Sequence, residues 1–145
     1  RGWTTLLFCN MFDEYLKIKP SRRLIDYNTK VYCNAIKNNP VDILTHPGFR
    51  VFCDPVTVAN CCADYGTYFE INTKKTHLSA DEWRDVIDKT KVNFVIDSDA
   101  HRPERVGEVS LFDKLDEVVR FPRERIFNIG GKTPVFRFSE FKKRL

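Results

Sequence analysis

Long apolar runs are missing from this sequence. Nothing in its 145 residues approaches the ~20 consecutive apolar residues that a membrane-spanning helix requires. A clustered basic stripe is missing too. Lys and Arg are spread out under a net charge of +4, which suits a small anionic substrate and falls short of a nucleic-acid footprint. The exception is Phe141-Lys142-Lys143-Arg144-Leu145, which reads as the solvated basic end of a helix. The five cysteines (Cys9, Cys33, Cys53, Cys61 and Cys62) form no regular framework: their number is odd, two are adjacent, and no C-x-x-C occurs. That excludes a zinc knuckle and a disulfide scaffold, and leaves reduced, partly buried thiols of a cytoplasmic protein. There is no charged-then-apolar leader and no initiating Met, and Arg1-Gly2-Trp3 looks cut rather than begun. The expectation is a soluble, cytoplasmic fragment of something longer, with no membrane partner and residues 1–145 forming one partial domain.

What is present is a regular alternation of strand and helix. Trp3 to Phe12 is apolar and aromatic, and 11–16 could open a helix or a lid-like loop before Lys19-Pro20-Ser21 breaks it. A helix is expected from Asp26 to about Asn38, with Tyr27, Val31, Ala35 and Ile36 near one face and Asn39-Pro40 ending it. Strands are expected at 41–45, 68–72, 93–98 and 125–129. Between them, Asp54-Pro55 should cap and open a helix that stops at Gly66. Ser79 with Glu82 forms a capping box for a helix that places Trp83, Val86 and Ile87 on one side. A further helix should carry Leu111, Leu115, Val118 and Val119 on one face, and a short one should begin at Ser139. This rhythm predicts an α/β fold with a parallel sheet, open or closed into a barrel.

The chemistry gathers at strand ends. His46 ends the first strand, and Asp99-Ala100-His101 ends the third. In parallel α/β folds the functional groups sit at this carboxyl end. A D-x-H pair in extended backbone points both side chains to one face, and a carboxylate with two imidazoles can ligate zinc, manganese or iron. The plainer alternatives are a turn histidine before Pro47-Gly48 and an Asp acting as a helix cap.

Thr45-His46-Pro47-Gly48, then Glu70-Ile71-Asn72, then Ser98-Asp99-Ala100-His101 with Arg102-Pro103 and Val106-Gly107, resemble the polymerase and histidinol phosphatase (PHP) family from about Asp26 to about Ile129. The resemblance implies the C-terminal portion of a distorted (β/α)7 TIM-like barrel with parallel strands. It also implies a metal-dependent phosphoesterase acting on small phosphorylated substrates, with up to three divalent metal ions (Zn, Mn or Fe) that activate the attacking hydroxide. On that resemblance His46, Asp99 and His101 are metal ligands, with Asp99 and His101 at the catalytic centre. Glu70 and Asn72 orient ligands by hydrogen bonding, and Arg102 meets the substrate phosphate. Glu70 could equally be a buried structural carboxylate, and Arg102 an exposed loop residue. His77 matches no family ligand and is expected in an exposed loop.

The sequence departs from the family pattern as well. There is no H-x-H, and the histidines are only His46, His77 and His101. Either the remaining ligands belong to a longer protein, leaving this fragment inactive alone, or the chain is a degenerate, non-catalytic module that docks or stabilises a larger protein. A third reading uses His46, Asp99 and His101 as the ligand face of a mononuclear metal enzyme. A half barrel would expose sheet edges, so the chain is expected to pair with its missing half or with a second copy.

Overall fold

A computed structural model of the chain describes residues 20–136 and 138. The aromatic opening segment, the helix expected from Ser139 and the basic end at 141–145 lie outside these residues, as does Cys9. The first helix, α1 (Arg22–Asn38), starts four residues earlier than Asp26 because the Ser21 side chain accepts a hydrogen bond from Leu24 N at 3.2 Å. It buries Thr29 and Ile36 and turns Tyr32 and Cys33 partly inward. Tyr27 and Val31, expected on the inner face, are 65% and 50% exposed, and Ala35 is exposed as well. These three form one i, i+4 row, while Ile36 belongs to the neighbouring row with Thr29, and only one row can face the core. Thr29 also fixes the next helix: its hydroxyl donates to Ile25 O at 2.8 Å and accepts from Asp54 N at 2.9 Å.

β1 (Ile43–Leu44) leads to α2 (Pro55–Tyr65), which Asp54 caps through Thr57 N at 2.8 Å and Gly66 closes in left-handed backbone at φ 68°. β2 (Tyr68–Asn72) is buried throughout. α3 (Ala80–Lys89) carries the full Ser79–Glu82 capping box and buries Trp83 and Val86. β3 (Phe94–Asp97) follows, then a 3₁₀ turn at Pro103–Arg105 and α4 (Ser110–Val119). α4 buries Phe112 and Val119 with Leu115 between them, an i, i+3, i+7 row. Val118, expected inward, lies one residue off that row and is 53% exposed.

The three strands form a parallel sheet in the order β1-β2-β3. The helices α1 to α4 touch in succession, so chain order and spatial order agree. This is a singly wound α/β arrangement; closure into a barrel is not seen among the described residues. The strand expected at 125–129 is reduced to one parallel bridge, Ile126 to Phe94. A 3₁₀ turn at Arg123–Arg125 occupies its start, and the Asn128 side chain replaces the ladder by donating to Ile96 O (2.7 Å) and accepting from Ile96 N (3.0 Å). The core centres on Val58, Phe69, Ile71, Val86, Val92, Phe94 and Ile126, all fully buried. No helix of the described residues is long and apolar enough to cross a membrane.

Candidate functional site

The carboxyl ends of the three strands lie side by side, and their loops bring the polar residues together. After β1 the chain turns at His46, in left-handed backbone at φ 47°, and at Gly48, φ 87°. A Cβ on Gly48 would stand 3.2 Å from Leu78 Cδ2 and 3.5 Å from His77 O, so glycine lets this turn press against the loop after β2. The imidazoles of His46 and His77 consequently lie 6.2 Å apart, centre to centre, with the Phe49 ring 5.1 Å and 4.5 Å from them. His77 is half-buried here, contrary to the exposed position expected for it. Burial lowers its pKa first, and the neighbouring His46 and Lys75 add to that. The expectation failed because Phe49, far away in the chain, covers the ring.

Glu70 explains how the strained turn is held. Its carboxylate, 2% exposed, accepts from His46 N–H and from Asn72 Nδ2 at 3.3 Å. Burial pushes the Glu70 carboxyl up, and these two hydrogen bonds pull it partly back. Asn72 Oδ1 in turn accepts from Lys74 N (3.0 Å) and Lys75 N (3.1 Å), folding the loop that follows β2. Glu70 and Asn72 thus orient backbone around the site.

After β3 the backbone is left-handed again, at Asp99, φ 44°. Asp97 Oδ1 fixes it by accepting from Asp99 N at 2.7 Å. His101 Nδ1 lies 2.8 Å from Asp99 O, and Lys74 Nζ reaches both members of the pair: 3.0 Å to His101 Nδ1 and 3.5 Å to Asp99 Oδ2. Lys74 was missed in the sequence, although its place just past a strand end was the same signal that marked His46 and Asp99. Arg102 is exposed and precedes the 3₁₀ turn.

Asp99 and His101 are therefore adjacent, while His46 pairs with His77 on the neighbouring loop. Among the described residues, no three of His, Cys, Asp and Glu gather closely enough to hold a metal ion. An open cavity of about 610 Å³ borders β3, lined by Asp97, Ser98, Arg123 and Asn128, without reaching the imidazoles. The described cysteines are free. Burial pushes the Cys53 and Cys61 thiols up to about 12 and raises that of Cys62 as well, so they are poor nucleophiles.

No model of a known protein family matches the sequence. A probable phosphatase of Caldanaerobacter subterraneus subsp. tengcongensis is 30% identical over 129 residues, which is 83% of this chain and 51% of that protein. A probable phosphatase of Acetivibrio thermocellus is also 30% identical over 129 residues, covering 84% of this chain and 52% of the relative. A probable phosphatase of Shewanella sp. strain ANA-3 is 28% identical over 109 residues, 70% of this chain and 43% of its own length. The chain is thus a distant relative of probable phosphatases and spans about half the length of the curated relatives it matches.

Proposed function

We propose that this chain is the C-terminal part of a PHP-type barrel and contributes part of the active site of a metal-dependent phosphoesterase in the cytoplasm. The observation that carries this reading is the placement of His46, Glu70 with Asn72, and Asp99 with His101 at the ends of three neighbouring parallel strands. The singly wound order of helices and strands supports it, since a barrel segment is built this way.

The donors fit divalent ions (Zn, Mn or Fe) in kind but only in part: among the described residues they do not gather around one ion, so His46 would ligate one ion and Asp99 and His101 two others. A bound ion lowers the pKa of its water and neutralises charge on the phosphate in the transition state. The chain's own residues prepare the place. Glu70 holds the His46 turn, Asn72 shapes the loop that carries Lys74, and the exposed Arg102, next in the chain to His101, would meet the phosphate of a small substrate. The remaining ligands come from outside these residues, from a missing half of the barrel or from a second copy of the chain. A nucleic acid is not the partner on this reading, because the basic residues are scattered.

The absence of a three-ligand cluster among the described residues favours a second reading, a non-catalytic module that docks or stabilises a larger protein. Hydrolysis of p-nitrophenyl phosphate decides between them, measured on the protein in the form its gene encodes. On the phosphoesterase reading, activity requires added divalent metal and falls at least about a hundred-fold in Asp99→Ala. Metal-independent turnover, or an unchanged rate in Asp99→Ala, rejects it.

A further inference from the structure

Four cysteines gather where α1 packs on α2. Cys33 lies on α1, Cys61 and Cys62 on α2, and Cys53 in the loop that leads into α2. Two of them touch across the seam. The Cys61 thiol donates to Cys33 O at 3.6 Å, and the Cys33 thiol is within its hydrogen-bonding reach as well. Both residues are only partly buried, so a small solute can reach them. Cys62, next in the chain, is fully buried and closed to a hydrophilic reagent.

The seam is held in register beside this pair. Asn28 Nδ2 donates to Phe52 O at 2.9 Å, and the Thr29 hydroxyl accepts from Asp54 N at 2.9 Å. A disulfide bond is about 2 Å long, so sulfurs already in contact need a side-chain rotation rather than a movement of the helices. Burial first, and the hydrogen bond to the Cys33 thiol second, push the Cys61 thiol up to about 12. Cys61 therefore keeps its proton and is suited to the second step of an oxidation, not the first.

We propose that Cys33 and Cys61 form a reversible oxidation site that takes a hydroperoxide and closes into a disulfide between α1 and α2. The Cys33 sulfur gives an electron pair to the peroxide: an S–O bond forms, the O–O bond breaks, and the departing oxygen takes the thiol proton. The Cys61 sulfur then attacks the sulfenic acid. The S–S bond forms, the S–O bond breaks, and hydroxide leaves as water with the Cys61 proton. Two thiols are oxidised and one hydroperoxide is reduced. Contact between the two sulfurs offsets the low reactivity of the buried thiol. The bridge encloses the segment that carries β1 and the His46 turn, so oxidation tethers both ends of that segment. A dithiol reverses it by exchange.

The test is hydrogen peroxide treatment of the reduced protein in the form its gene encodes, followed by alkylation of the remaining thiols and peptide mass mapping without reductant. The expected result is a peptide pair joined through Cys33 and Cys61, lighter by about 2 Da than the two reduced peptides together. Dithiothreitol should restore both thiols, and the rate of bridging should not change with protein concentration. Cys33→Ser and Cys61→Ser should each abolish the bridge, while Cys53→Ser should leave it. Cys33 and Cys61 recovered as alkylated thiols, or either one bridged to a different cysteine or to a second molecule, overturns the proposal. The wild-type map decides this alone, so a serine variant that fails to fold does not shield the proposal.

Discussion

The two ends of the same strands are built on opposite principles. On the helix-covered side, Phe69, Trp83, Phe94 and Phe121 pack edge to face with ring centres 5.2 to 6.4 Å apart, and Phe69 and Phe94 are fully buried. At the carboxyl ends, His46 and Asp99 hold left-handed backbone, which costs a residue with a Cβ roughly 1–2 kcal/mol. Such strain persists only where the surroundings over-determine it. Here the surroundings are Glu70 beneath His46 and Asp97 beneath Asp99. The packed region supplies stability, and part of it is spent holding polar groups at the strand ends in unfavourable conformations.

That division can be broken from either side, and the largest effect lies in the core. Phe94→Ala removes a ring that touches Phe69, Trp83 and Phe121 and carries the Arg125 guanidinium over its face at 5.0 Å. It should cost about 3–5 kcal/mol in urea-induced unfolding. A loss below about 1 kcal/mol would show that the ring cluster is not the source of stability.

Glu70 links the two regions and should show a smaller, pH-dependent effect. Burial raises its carboxyl above the unfolded value, so over a window above that value the folded chain keeps a proton that the unfolded chain has lost. Wild-type stability therefore falls as pH rises through that window. Glu70→Gln keeps an acceptor for His46 N–H and removes the charge, so thermal unfolding followed against pH should lose this fall. A Gln variant with the wild-type pH profile would assign the dependence to another group.

The smallest stability effect is expected at Asp99. Asp99→Gly relieves the left-handed backbone and should leave the unfolding midpoint unchanged or raise stability by up to about 1 kcal/mol. A clear destabilisation would mean that Asp99 serves the fold.

Legibility followed the range of the interactions. The Ser79–Glu82 box, the Asp54-Pro55 start and the Gly66 stop are written in neighbouring residues and appear as expected. The inner rows of α1 and α4 were legible only in part: Ile36, Leu115 and Val119 pack as expected, while the equally apolar Tyr27 and Val118 face out, and tertiary contact adds Thr29 and Phe112. The fourth strand fails because a 3₁₀ turn and the Asn128 side chain do its work, which no periodicity signals. His46, Asp99 and His101 lie in the loops just after strand ends, as the sequence suggested, but His46 sits beside His77 rather than with the other two. The approach of His77 needs Gly48 to meet Leu78, and the Lys74 contact needs two loops to converge, both long-range events.

The central proposal is that these strand ends contribute ligands to a divalent metal. Elemental analysis of the protein in the form its gene encodes, comparing wild type with Asp99→Gly after equilibration with zinc, tests it most directly. The account predicts zinc retained by wild type and lost from a variant that is folded at least as stably. Equal zinc in the two proteins, or none in wild type, would contradict it.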